Sequence, residues 1–160
     1  VVVAVTLGTP SRAARADNQL GAGLMIGSPT GLTLKLQLDE QLFDLGFGGA
    51  VLGAQGIHVH VDRLWVPVSL MREPSFDLEL FVGIGVRVLR HRLKGGGDDF
   101  HLGVRAPAGL LFDLAKTGVP IEVFLEAALL VDVVLDKDKD AEEPDPDMGM
   151  NVALGLRYLF

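Results

Sequence analysis

Three side chains with metal-binding chemistry leave one face of the stretch "HVHVD": His58, His60 and Asp62. In an extended chain alternate residues share a face at a spacing of about 7 Å, so two imidazoles and a carboxylate here have the donor types of a two-histidine metal site. The same groups would equally serve an internal hydrogen-bond network with Arg87, Arg105 or Glu126, because other segments supply polar groups on the matching face. The network is the expectation, with the metal site as the alternative. A second acidic set, Asp136, Asp138 and Asp140 in "DKDKD", is followed by Glu142 and Glu143. It offers oxygen ligands at alternate positions, as calcium loops do, but lacks the sharp-turn glycine of an EF-hand, so a solvated acidic loop is expected. His101 with Asp99 is the remaining acid–base pairing of interest, and no serine lies beside it. No catalytic residue and no cofactor is expected.

The composition restricts what can position these groups. The 160 residues are one domain's worth of chain. Hydrophobic residues make up 49% and the mean hydropathy is +0.37, yet no apolar run approaches the roughly 20 residues of a membrane helix. The apolar content is therefore dispersed. The 20 glycines argue against a mainly helical protein, and the absence of cysteine excludes disulfides, thiol nucleophiles and thiolate metal sites. A net charge of −7 argues against a general nucleic-acid partner.

Residues 1–16 read as the tail of a secretory signal: an apolar "VVVAVTLG", then Ala14-Arg15-Ala16 as the small-x-small pattern before cleavage at Asp17. The alternatives are an extra edge strand or an unstructured leader. Residues 17–160 then form one domain. Its sequence parses into alternating segments at 19–27, 31–39, 42–52, 57–62, 76–88, 100–110, 121–133 and 150–160, with irregularity near Trp65 and Pro67. Pro107 falls inside the sixth segment, where a missing donor predicts a bulge.

Eight antiparallel strands can close as a soluble lipocalin-like cup or as a membrane barrel, and the two are inside out relative to each other. Four features favour the membrane form. The apolar face runs unbroken through seven positions of the fifth and seventh segments. The other face mixes glycine with both charge signs: Lys35, Arg87, Arg105 and Arg157 against Asp44, Asp62, Glu79, Glu122, Glu126 and Asp132, a set able to satisfy itself in a narrow lumen. Phe43, Trp65, Phe76, Phe112, Tyr158 and Phe160 fall at one rim, as an interfacial girdle would. The apparent leader delivers the chain for export. The expected fold is all-β, an eight-stranded antiparallel up-and-down transmembrane β-barrel.

The terminal "MNVALGLRYLF", alternating and ending in Phe160, resembles the closing strand of bacterial outer-membrane barrels. The pattern from Gln19 to Phe160 resembles the small OmpA/OmpX-like class, and "GAGLMIGSPTGLTLKLQLDEQ" is similar to the opening of a spirochaete-type group of such barrels. The resemblance implies an outer-membrane location, a lipid bilayer with lipopolysaccharide as surroundings, and recognition of the last strand by the assembly machinery. With the N-terminus periplasmic, the long outer loops are 90–99 and 136–148, the expected contacts for an extracellular protein partner. A monomer with a side-chain-filled lumen, acting in surface recognition, adhesion or envelope integrity, is the leading expectation. A soluble carrier of an apolar ligand is the alternative. A lipid-modifying barrel enzyme or a small pore is the third.

Overall fold

A computed structural model of the chain describes residues 19–38, 41–49, 56–92, 98–134 and 146–160. The leader expected at 1–16, the end of the third segment at 50–52 and the acidic run containing Asp136, Asp138 and Asp140 lie outside the described residues. The alternating segments become β1 (Gln19–Gly27), β2 (Thr30–Leu38), β3 (Gln41–Gly49), β4 (Gly56–Arg72), β5 (Asp77–Arg92), β6 (Asp98–Asp113), β7 (Ile121–Val134) and β8 (Asp147–Leu159). Each strand pairs antiparallel with its neighbour in sequence, and β8 returns to β1, so the sheet is a closed barrel in up-and-down order. Closure leaves no edge strand to be capped.

Turn chemistry sets the hairpins. Gly27, at φ 133, lets β1 reverse in a space where a Cβ would strike the backbone of Val152 and Ala153. The Thr30 hydroxyl closes that turn, accepting from the Gly27 N–H at 2.9 Å and donating to the Gly27 carbonyl at 3.1 Å. At the opposite end β6 passes into β7 through a 3-10 turn at Ala115–Thr117, ended by Gly118 at φ 81.

The strands are staggered as well as paired. Gly21 faces Leu159 on one side. Following partners the other way round the barrel, through Lys35, Asp44, Asp62, Gly85, Arg105 and Leu130, arrives at Gly149, ten residues from Leu159. A stagger of ten over eight strands tilts them by about 40° to the barrel axis.

Two local expectations turn out differently. Pro107 produces no bulge: it pairs with Ala128 in the unbroken β6–β7 register, and the β5–β6 ladder resumes on the same register either side of it, from Val82–Ala108 to Gly85–Arg105. The missing N–H costs local pairing on the β5 side only, and the buried ring packs inward beside Gly83, which has no side chain in its way. The irregularities lie in β4, where the register with β5 shifts between Trp65 and Val68 and again between Ser69 and Met71. β4 nevertheless continues ten residues beyond Asp62, to Arg72.

The alternation resolves into an apolar wall and a polar interior. Outward-facing Leu24 and Leu129 are 64% and 66% exposed, whereas inward-facing Arg105 and Arg157 are 0% and 1% exposed. Leu32, Leu34 and Leu38 of β2 stand on the outside, with Thr33, Lys35 and Gln37 buried behind them. A carrier of an apolar ligand needs the reverse arrangement, and that reading is corrected here.

Candidate functional site: a charged lumen inside an apolar wall

Most of the interior charges meet in three groups. Nearest the rim that carries Gln19 and Phe160, the chain ends as described, Glu122 accepts from Lys35 and, at 3.0 Å, from Arg157 Nη1. Arg157 also donates through Nη2 to Asp44 at 2.5 Å and through Nε to the Thr33 hydroxyl at 2.9 Å. The Thr33 hydroxyl in turn donates to Asp44 at 3.1 Å. One guanidinium thus joins β8 to β2, β3 and β7, and its carbon lies 3.9 Å from the centroid of the Phe124 ring. The fork of five donors suits arginine to this junction better than lysine.

In the middle, Arg105 lies between two acids, with Nε 2.9 Å from Asp62 and Nη2 on Glu126. Asp44 and Asp62 are direct cross-strand partners, a like-charge pairing that is unfavourable alone. Each of the two carboxylates is held by a different arginine, Asp44 by Arg157 and Asp62 by Arg105. Towards the other rim Arg87 takes both oxygens of Asp132, Nε to Oδ1 at 2.8 Å and Nη2 to Oδ2. Such pairs are favourable in a low-dielectric interior only when geometry and partners are complete.

His58 and His60 are buried in β4, but they face each other. His60 Nδ1 lies 3.2 Å from His58 Nε2, the rings meet edge to face, and Asp62 is 4.0 Å from His60 Nε2. Among the described residues no group of three or more histidine, cysteine, aspartate or glutamate side chains is arranged to hold a metal ion. Glu79 also points inward, half-buried near the rim between Ser69 and Leu111 of the flanking strands. Asp99 has no described side chain, so the His101–Asp99 pairing lies outside what is described.

The foreseen network named only charges, and the interior holds more. Thr33, Gln37, Asp113 and Asn151 are buried polar members, each sharing parity with a foreseen charge. Met25, Leu42, Leu64, Phe81, Leu111 and Phe124 form a buried apolar cluster inside the barrel, with Val66 against it. Parity alone would have placed Leu42, Leu64 and Leu111 there, since each lies on the same strand face as an inward charge.

The six aromatic residues foreseen as a girdle stand apart from Phe81 and Phe124, which are inside the barrel. With the register and tilt given above, Phe43, Trp65, Phe112 and Tyr158 lie within about 6 Å of one another along the axis, near the rim of the chain ends. Phe76 packs on Phe112 with centroids 4.7 Å apart, and Phe160 on Tyr158 at 5.0 Å. Arg63, absent from the foreseen set, lies one outward-facing position further into the wall than Trp65, with its guanidinium carbon 5.3 Å from the Trp65 ring centroid.

No family model matches the sequence, and no curated protein matches it. Among solved structures the chain is similar to the N-terminal β-barrel domain of Pseudomonas aeruginosa OprF, with a TM-score of 0.58 and 15% identity over 89% of this chain and 96% of that one. At that identity the similarity speaks for the fold: a closed eight-stranded antiparallel barrel.

Proposed function

We propose that this chain is a monomeric bacterial outer-membrane barrel that serves surface recognition, adhesion or envelope integrity. The observation that carries the reading is the inversion of polarity, with leucine, isoleucine and valine outside and paired charges inside. Water would not sustain so large an apolar wall, whereas hydrocarbon requires one, and a closed barrel satisfies every strand without an edge. The rim aromatics supply the interfacial girdle. The resemblance of the last strand to outer-membrane barrels supports that particular membrane and delivery by its assembly machinery, with lipopolysaccharide around the outer rim.

The lumen has the character of a plug. Ion pairs bridge it and an apolar cluster packs against them, so the proposal includes neither conduction nor catalysis. Function then falls to the outer loops at 90–99 and 136–148 and an extracellular partner. A short epitope inserted after residue 140 tests this in a diderm host. Labelling on intact cells, with the protein in the carbonate-resistant envelope fraction, is the expected result. Labelling only after permeabilisation would remove the surface role.

A further inference from the structure

Away from the two rims, Arg63 is the one charged residue on the outer face of the described strands. Its parity is that of Ile57, Val59, Val61 and Trp65, all facing outward. Its direct cross-strand partners are Phe43 on β3 and Ile84 on β5. No carboxylate of the described residues pairs with it, and its neighbour is the Trp65 ring. In the membrane reading, on which this inference rests, a cation on the wall is costly at mid-bilayer and costs little near an interface.

The position of Arg63 is graded accordingly. Two residues of a tilted strand lift its Cα about 5 Å from Trp65 towards the barrel middle, a distance an arginine side chain can span back to the interface. Its guanidinium lies beside the Trp65 ring, with fork donors left over and no acid among the described residues to take them. We propose that Arg63 and Trp65 form a binding site for the phosphate of an anionic glycerophospholipid in the leaflet at the rim of the chain ends, the periplasmic leaflet in the proposed orientation. Phe43 and Ile84 flank the path of its acyl chain. A phospholipid whose phosphate charge is not cancelled by its own headgroup cation fits best.

The chain contains a single tryptophan, so Trp65 reports on this site directly. The full chain is reconstituted into vesicles in which phosphatidylglycerol or phosphatidylcholine carries brominated acyl chains, and tryptophan quenching is measured for the natural chain, Arg63→Gln and Arg63→Lys. The expected result is a preference for brominated phosphatidylglycerol of about fivefold, the factor one basic residue contributes at an anionic surface. It should disappear in Arg63→Gln, persist in part in Arg63→Lys and weaken with salt. Equal quenching by the two lipids, or an unchanged preference in Arg63→Gln, overturns the site while leaving the membrane reading intact. Absence of quenching by either lipid means that Trp65 does not face lipid and overturns both.

Discussion

The ring of Phe124 on β7 lies over Gly155, its direct partner on β8, so closely that a Cβ there would overlap the ring. The relationship recurs: Phe81 stands across from Gly109, His60 from Gly46, Asp132 from Gly103 and Asp62 from Gly85. A narrow lumen accommodates large residues because their cross-strand neighbours have no side chain. Gly155→Val should therefore destabilise the barrel by about 1–3 kcal/mol through overpacking, and Phe124→Ala added to it should return part of the loss. Urea unfolding in lipid vesicles measures both, and additive losses in the double variant would contradict the account.

Arg105 is fully buried with two acids on it. Arg105→Met leaves Asp62 and Glu126 without their cation and should cost about 3–5 kcal/mol. Neutralising the acids as well, with Asp62→Asn and Glu126→Gln, should restore much of that stability. A triple variant as unstable as the single one would show that the charges are not what the arginine serves.

The two histidines share a hydrogen bond with each other, which is the basis for an expectation about zinc. His58→Ala deprives a buried His60 nitrogen of its partner and should cost about 1–3 kcal/mol. Zinc added to the natural chain should leave the unfolding midpoint unchanged. A zinc-dependent rise lost in His58→Ala would instead establish the metal site, since tight binding at a hundredfold excess over Kd stabilises by about 2.7 kcal/mol.

Leu154 is exposed on the outer face of β8, whereas its neighbour Ala153 is buried. Leu154→Arg should lower folding stability in bilayers by about 2–4 kcal/mol, the cost of a cation on the wall away from the interfaces. Folding assayed in vesicles would show it. A Leu154→Arg variant as stable as the natural chain would be incompatible with lipid contact at that position.

Much of the barrel was legible because β-strand parity is strict. "GLTLKLQLD" placed its leucines and Lys35 on opposite faces, and the same period carried through β5, β7 and β8. Which acid meets which base was not legible. Lys35 and Glu122 are 87 positions apart, and their meeting depends on the ten-residue stagger, a property of closure that no single strand encodes. His58 and His60 shared a face as expected, yet ring rotation turned them towards each other, a choice of side-chain torsion that spacing leaves open. The bulge expected at Pro107 failed because Gly83 across the ladder made room for the ring, so strand bending was unnecessary.

The central claim is that the apolar wall requires a hydrophobic solvent, and a heat-modifiability gel tests it most directly. The chain is refolded with and without detergent, followed by far-ultraviolet circular dichroism and run boiled and unboiled on a denaturing gel. The account predicts a strand-rich species only with detergent, whose unboiled band migrates apart from the boiled one. A strand-rich monomer that forms and remains soluble without detergent would contradict it.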